Sequence, residues 1–161
     1  MTLAFIGLGA NVGAPVAQLR AALAELAKLP RSRLAGASSL YRSAAVGHTA
    51  QPDFVNAVAA LETELEPGAL LAELVRIERA AGRSRTFPNA PRTLDLDLLL
   101  YGDRIVAEPG LSVPHPRMHS RAFVLAPLVE LAPDAVIPGR GKAADLLPSV
   151  QDQRVERIDR A

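Results

Sequence analysis

The chain has 161 residues and a mass of 17.0 kDa, enough for one domain with a sizeable hydrophobic core. Its formal net charge of +1 shows no bulk bias toward nucleic acid or membranes, and no apolar run reaches the roughly 18 residues that span a bilayer. Because the chain contains no cysteine, disulfides and thiolate metal sites are excluded. We expect one cytoplasmic domain, residues 1–161, whose N-terminus is a first strand rather than a signal peptide.

The first half of the chain alternates strand and helix patterns. Residues 3–9, LAFIGLG, predict a strand, and Gly7, Gly9 and Gly13 are expected to open the turn that follows. Residues 14–30 have the apolar period of a helix, which Pro30 ends. Residues 33–43, RLAGASSLYRS, predict a second strand, residues 44–53 a loop, and residues 54–65, FVNAVAALETEL, a third strand.

The second half continues with a helix over residues 67–82, which begins at Pro67 and ends at Gly82. A loop, residues 83–91, leads into a strand at TLDLDLLL, residues 93–100, and YGDRIV is expected to turn the chain as a hairpin. A helix is expected from about Ser120, then a short helix near Asp145 and a strand at RVERI. The order predicts an α+β fold: a ferredoxin-like α/β sandwich with a mainly antiparallel central sheet and helices on its faces.

The glycine-rich segment GLGANVG, residues 7–13, resembles a dinucleotide-binding turn only superficially. Its spacing is G-x-G-x-x-x-G rather than G-x-G-x-x-G, and no acidic residue ends a second strand about 20 residues on. The chain also lacks the G-x-x-x-x-G-K-[ST] pattern of a P-loop. We interpret the segment as a tight strand-to-helix turn in which Asn11 bonds to backbone.

Two aspartates interrupt the apolar strand at residues 93–100. Because side chains alternate along a strand, Asp95 and Asp97 project from one face, and Leu94, Leu96 and Leu98 project from the other. Two neighbouring carboxylates repel each other unless a cation compensates them, and hard oxygen ligands of this kind suit Mg²⁺. The alternative is an exposed pair of carboxylates, each bonded to nearby arginines.

Cationic and aromatic side chains near this strand are typical of a site that binds a nucleotide and a planar ligand. Arginines and a histidine that could bind a polyphosphate flank the aspartates: Arg83, Arg85, Arg92, His115, Arg117 and Arg121. Phe54 and Phe123 could stack on a heterocycle, beside the amide of Asn56, or they could be ordinary core residues.

Several segments together resemble the 6-hydroxymethyl-7,8-dihydropterin pyrophosphokinase family of folate biosynthesis. The matching segments are FIGLGANVG, LYRSAAVG, QPDFVNAV, RIERAAGR, APRTLDLDLLLYG and VPHPRMHSRAFVLAPLVELAP. The resemblance implies transfer of pyrophosphate from ATP to the pterin hydroxymethyl group, giving AMP and the pterin diphosphate. It also implies a monomer with two Mg²⁺ ions and ATP as co-substrate.

The resemblance further implies a role for individual residues. The catalytic residues would be Arg83, Arg92, Asp95 and Asp97, of which Asp95 and Asp97 would bind the metal ions. The pterin would contact Ser43, backbone near Val46, Phe54, Asn56 and Phe123. ATP would contact Glu78, Arg85, Arg92, Leu98, Ser112, His115 and Arg121. Asn89 stands where some members carry Trp, and Phe87 could replace that aromatic contact.

Two other classes of function remain open at this stage. A metal-dependent glycosyltransferase also uses a D-x-D pair, although a chain this short lacks room for a nucleotide-sugar domain. A small binding or regulatory domain could instead carry aspartates that only pair with arginines.

Overall fold

The computed structural model describes residues 1–44, 52–82 and 94–161, which form ten strands and four α-helices. The strands are β1 Thr2–Ala10, β2 Ser32–Ala37, β3 Leu40–Ser43, β4 Phe54–Thr63, β5 Asp95–Tyr101, β6 Val106–Glu108, β7 Leu111–Val113, β8 Val136–Ile137, β9 Gly141–Lys142 and β10 Val155–Asp159. The helices are α1 Pro15–Leu26, α2 Pro67–Ala80, α3 Ala122–Leu131 and α4 Ala143–Leu146. No helix among these residues is long and apolar enough to cross a membrane.

A six-stranded sheet organises the fold, and all of its strand pairs are antiparallel. The strand order is β10-β3-β4-β1-β5. Strand β2 also pairs with β4, over residues 59–63, whereas β3 pairs with residues 54–56. Two small hairpins, β6–β7 and β8–β9, lie outside this sheet. The α+β architecture with a mainly antiparallel sheet is therefore confirmed.

Helices cover both faces of the sheet, as the sequence predicts. The first core cluster packs α1 and α2 against one face, where Ile6 and Leu8 of β1 are almost completely buried. The second packs α3 and α4 against the opposite face, which carries Phe5 and Val58. Fully burying one such large apolar side chain stabilises the fold by about 1.5–3 kcal/mol.

A β-bulge explains why three leucines can follow one another at the end of β5. Ile6 pairs with Leu98 and Phe5 pairs with Leu100, so the register shifts and Leu99 has no direct partner on β1. Leu98 belongs to the first core cluster, whereas Leu99 and Leu100 both belong to the second. The bulge thus breaks the alternation after Leu98 and lets two successive side chains serve the same core.

Two local predictions are wrong. The predicted second strand is divided into β2 and β3 at Ser38 and Ser39, because the Ser38 hydroxyl accepts a hydrogen bond from Val58 N at 2.9 Å and takes the place of a ladder carbonyl. YGDRIV turns the chain after β5, at Gly102 with φ 54, but this turn does not pair β5 with β6. Strand β6 pairs with β7 instead.

A carboxylate on α3 holds this helix to the break between β2 and β3. Glu130 accepts hydrogen bonds from Ser39 N at 3.0 Å, from Ser39 Oγ at 2.7 Å and from Tyr41 Oη at 2.7 Å. Burial acts to raise the pKa of Glu130, but these hydrogen bonds outweigh it and lower the pKa below its ordinary value. Burial and the bond to Glu130 raise the pKa of Tyr41 to about 12.

The lowered pKa of Glu130 predicts a pH-dependent contribution to stability. A carboxyl group whose pKa is lower in the folded state stabilises the fold above its unfolded value, near 4.5, and this contribution is lost as the pH falls through the folded-state pKa. We expect Glu130→Gln to be less stable than the wild type at pH 7 and the difference to shrink below about pH 4. Urea unfolding between pH 7 and pH 3 measures this, with Glu108→Gln, an exposed glutamate on β6, as the control. A difference that stays constant with pH would contradict the assignment.

Candidate active site

The paired aspartates lie on the strand that forms one edge of the main sheet. Leu94, Leu96 and Leu98 are at most 5% exposed, whereas Asp95 is half-buried and Asp97 is exposed. This burial pattern confirms the predicted division of β5 into an apolar face and a face that carries both carboxylates.

Glycines on the neighbouring strand create the space in front of these carboxylates. Gly7 pairs with Asp97 and Gly9 pairs with Asp95, so both glycines lie inside β1 rather than in the turn predicted from the sequence. A Cβ atom at Gly9 would lie 3.3 Å from Asn56 Oδ1, which is tighter than usual. Of the three glycines, only Gly13 belongs to the turn, with φ 75. A Cβ atom at Gly7 would contact the Leu99 side chain at 3.4 Å, so the two strand glycines give a floor without side chains between β4 and β5.

A cavity of about 720 Å³ covers this floor, and all four of the predicted pterin residues that the structure describes line it. It is lined by Asp95 and Asp97 together with Ser43, Phe54, Asn56, Arg121 and Phe123. Its volume lies in the range of sites that bind small organic ligands. Four separate elements, β3, β4, β5 and the start of α3, thus bring these seven residues to one place.

The polar side of the cavity is held in a fixed arrangement by two buried residues. Asn56 Nδ2 donates a hydrogen bond to Ser43 Oγ at 2.7 Å, and both residues are less than 7% exposed. The Asn56 amide retains further hydrogen-bonding capacity, because a side-chain amide has two donor hydrogens and an acceptor oxygen. Asn56 and Ser43 are therefore preorganised to hydrogen-bond the edge of a polar ring.

The aromatic side is formed by Phe54 and Phe123. Neither ring is fully buried, although Phe123 packs in part against the second core cluster. The Arg121 guanidinium lies 5.4 Å from the centre of the Phe123 ring, within the range of a cation–π interaction. Partial burial at a cavity wall favours the ligand-binding interpretation over an ordinary core role.

A second cavity of about 290 Å³ lies on the other side of Asp97. Leu98, Ser112 and His115, all predicted to contact ATP, line it together with Leu71. Asp97 borders both cavities, whereas Arg121 lines the larger one. A carboxylate is therefore placed where ligands bound in the two cavities would meet.

His115 is oriented by backbone contacts beside this carboxylate. The backbone N–H of His115 donates to Leu99 O at 2.9 Å, and the imidazole Nδ1 accepts from Arg117 N at 3.2 Å. Burial lowers the pKa of His115, the Arg121 and Arg117 charges lower it further, and Asp97 opposes them. The lowered pKa favours the neutral form of the imidazole.

The described residues offer the aspartate pair but no closed metal cage. No group of three or more His, Cys, Asp or Glu side chains that could hold a metal occurs among residues 1–44, 52–82 and 94–161. Mg²⁺ usually binds one or two carboxylates and completes its shell with substrate phosphates and water, so the donor set fits this ion. Val46, Arg83, Arg85 and Arg92 lie outside the described residues, as do Phe87 and Asn89.

The family of this chain follows from comparison with known proteins. A family model described as 7,8-dihydro-6-hydroxymethylpterin-pyrophosphokinase (HPPK) matches residues 5–133. The chain belongs to the HPPK family. The Haemophilus influenzae 2-amino-4-hydroxy-6-hydroxymethyldihydropteridine pyrophosphokinase is 45% identical over 159 residues, which cover 99% of both chains. The protein of the same name from Pseudomonas aeruginosa is 45% identical over 154 residues, covering 96% of this chain and 95% of that protein.

Solved HPPK-containing structures share the fold at low sequence identity. Wild-type HPPK-DHPS of Plasmodium falciparum with pteroate has a TM-score of 0.72 at 12% identity, covering 92% of this chain and 42% of that one. A structure of HPPK-DHPS in complex with substrates has a TM-score of 0.71 at 11% identity, covering 94% and 44%. The chain thus spans less than half of these longer chains. Membership of the HPPK family decides against the glycosyltransferase and non-catalytic alternatives.

The larger cavity includes residues that the sequence analysis missed. The family match ends at residue 133, yet Gln153, Arg154 and Val155 also line the larger cavity. They reach it because β10 pairs with β3 and Val155 lies opposite Ser43. Nothing in the local pattern of the C-terminal segment indicates this, since the pairing joins residues more than a hundred positions apart.

Glu78 has a structural contact beside its predicted nucleotide role. It is 7% exposed, and its Oε2 accepts a hydrogen bond at 2.8 Å from Leu96 N, the amide between the two aspartates. Glu78 lines neither of the two cavities described above. The bond ties α2 to β5, and the contact of Glu78 with the nucleotide stays a prediction.

The contact to Leu96 predicts that Glu78 contributes to stability. Glu78→Ala would leave the buried Leu96 N–H without this acceptor, which costs about 1–3 kcal/mol. Glu73→Ala, on the same helix, removes an ion pair with the exposed Arg76 and should cost less than about 0.5 kcal/mol. Urea unfolding of both variants at pH 7 tests this, and equal costs would contradict a special role for the Glu78 bond.

Proposed function

We propose that this HPPK-family chain transfers the pyrophosphate group of ATP to the hydroxymethyl group of 6-hydroxymethyl-7,8-dihydropterin in folate biosynthesis. The products are AMP and (7,8-dihydropterin-6-yl)methyl diphosphate. The observation that carries the proposal is the position of Asp97, which borders both a larger and a smaller cavity. Family membership supports the reaction, and this arrangement supports a site at which the two substrates would meet.

The larger cavity is proposed to bind the pterin. Phe54 and Phe123 would contact the faces of the planar ring, and Asn56, held by Ser43, would hydrogen-bond its polar edge. A ring that lacks the matching polar group would leave the buried Asn56 amide without a hydrogen-bond partner. Hydrogen bonding at this edge would therefore give specificity for the pterin.

The smaller cavity is proposed to bind part of ATP. Leu98 and Leu71 give it apolar walls, and Ser112 and His115 supply polar groups next to Asp97. Arg121 lines the larger cavity and would bind the phosphates that extend toward the pterin. His115 Nδ1 accepts a hydrogen bond from Arg117 N, so the other ring nitrogen would be free to donate one to a phosphate oxygen.

Asp95 and Asp97 are proposed to hold two Mg²⁺ ions. Both carboxylates project from the same face of β5 and are accessible from the cavity, so they can act as hard oxygen ligands. When bound, the ions would neutralise phosphate charge and make the pterin hydroxyl more acidic. The requirement for Mg²⁺ and the number of ions are part of the proposal, as are a monomeric state and a cytoplasmic location.

The chemical step needs positioning more than a strong protein base. The hydroxymethyl oxygen forms a bond to the β-phosphorus of ATP, the bond from that phosphorus to the oxygen of AMP breaks, and the hydroxyl proton is released to solvent. Phe54, Phe123 and Asn56 would hold the oxygen on one side of the transferred group. Arg121 would bind the phosphates, so the two reactants are held in line.

The reaction is tested by identifying the nucleotide product. With ATP, 6-hydroxymethyl-7,8-dihydropterin and Mg²⁺, we expect one AMP for each pterin consumed, and we expect removal of divalent cations with EDTA to stop turnover. Chromatography of the nucleotides with mass spectrometry of the pterin measures both. Stoichiometric ADP would refute pyrophosphate transfer, whereas AMP formation that survives EDTA would refute only the metal requirement.

The proposed role of Asp97 as a metal ligand is tested by comparing it with Asp103, an exposed aspartate just after the same strand. Asp97→Ala should lower kcat/KM at least about a hundredfold, because even residues that only orient metal ligands contribute about tenfold to a hundredfold. Asp103→Ala removes an exposed carboxylate in the turn after the same strand and should leave activity unchanged. Circular dichroism and thermal unfolding check that both variants fold. Full Mg²⁺-dependent activity of Asp97→Ala would refute its role.

A further inference from the structure

Gln153 bridges the C-terminal segment and the start of α3. Its Oε1 accepts a hydrogen bond from Ala122 N at 2.9 Å, and its Nε2 donates one to Ser120 O at 2.9 Å. Ala122 is the first residue of α3, where backbone N–H groups have no partner within the helix. Arg121 at the N-cap makes no side-chain capping bond, so an amide 31 residues away in sequence performs this task.

The two bonds lie on either side of Arg121. One fixes the peptide carbonyl of Ser120 and the other fixes the amide of Ala122, so the peptide planes on both sides of Arg121 are restrained. Arg121 has extended backbone angles, φ −121 and ψ 112, and its guanidinium lies 5.4 Å from the centre of the Phe123 ring. Both of these side chains line the larger cavity.

The backbone of Gln153 is itself anchored. Its N–H donates to Val150 O at 3.0 Å, and Val150 is 4% exposed within the second core cluster. On its other side Val155 packs against the same cluster and pairs with Ser43 on β3. An anchored backbone lowers the entropy lost when the side chain adopts its bridging conformation.

We infer that Gln153 is a positioning residue of the substrate site, which acts through Ser120 and Ala122 to hold Arg121 and Phe123 toward the cavity. The identity of the ligand in this cavity rests on the proposed function. Gln153 lies beyond residues 5–133, the part of the chain that matches the HPPK family model. The C-terminal segment therefore contributes to the site of this chain through a side chain that need not touch the substrate.

The first test needs no substrate. Amide hydrogen exchange measured by NMR should be about threefold to tenfold faster at Ala122 in Gln153→Ala than in the wild type, because an amide that loses one net hydrogen bond opens more readily. Gln151→Ala is the matched control, since Gln151 is exposed in the same segment and makes no side-chain hydrogen bond among the described residues. Unchanged exchange at Ala122 in Gln153→Ala would overturn the inference.

The second test separates positioning from a purely structural role. Calorimetry with 6-hydroxymethyl-7,8-dihydropterin and a non-hydrolysable ATP analogue, well below the unfolding temperature, should show pterin binding weakened about threefold to tenfold in Gln153→Ala and unchanged in Gln151→Ala. A lower unfolding temperature with wild-type pterin affinity would show a structural role only and overturn the inference.

A third variant decides the matter if Gln153→Ala does not fold. Gln153→Glu keeps an acceptor for Ala122 N and adds a negative charge that suits a helix N-terminus, but it opposes a carboxylate oxygen to Ser120 O. We expect a folded protein whose pterin affinity is lower than that of the wild type, and wild-type affinity would overturn the inference. A wild-type protein that forms no AMP would refute the proposed function instead, and the exchange test at Ala122 would still stand.

Discussion

The site depends on one electrostatic constraint: two carboxylates of like charge project from the same face of an edge strand. Asp95 and Asp97 cannot both be placed in an apolar core, since burial of an uncompensated carboxylate is very costly. The fold meets this constraint by setting them opposite Gly9 and Gly7, which have no side chains to close the space in front of them. Gly7 and Gly9 therefore line the cavity beside the two carboxylates without adding side chains to it.

Strand β5 packs into the core through the face opposite the two aspartates and through its C-terminal end. Leu96 and Leu98 pack into the first core cluster, and the bulge directs Leu99 and Leu100 into the second. Glu78 adds a hydrogen bond to the amide between the two aspartates. A strand held on both sides of the sheet can carry repelling charges in a fixed geometry, which is what binding phosphates or cations requires.

The ligand-facing wall is built by elements that are far apart in the sequence. Ser43 and Asn56 come from paired strands, Phe123 comes from the start of α3, and Gln153 restrains that start from the C-terminal segment. The same helix is held to β3 at its other end by Glu130. Both ends of α3 are thus tied by polar contacts, while its apolar face packs on the sheet.

The sequence by itself determined the start of α2, the shared face of the two aspartates on β5 and the family. The period of two placed both aspartates on one face, Pro67 began α2, and the motifs around PRTLDLDLLL identified the family. These features are local, because strand alternation and helix boundaries depend on a few neighbouring residues.

Only the tertiary structure decided that Gly7 and Gly9 belong to the cavity floor, that Ser38 divides a predicted strand, and that β6 pairs with β7. It also decided that Gln153 reaches α3. Each of these depends on strand register or on contacts between distant segments, which are set by how whole elements pack and which no local pattern of residue types encodes.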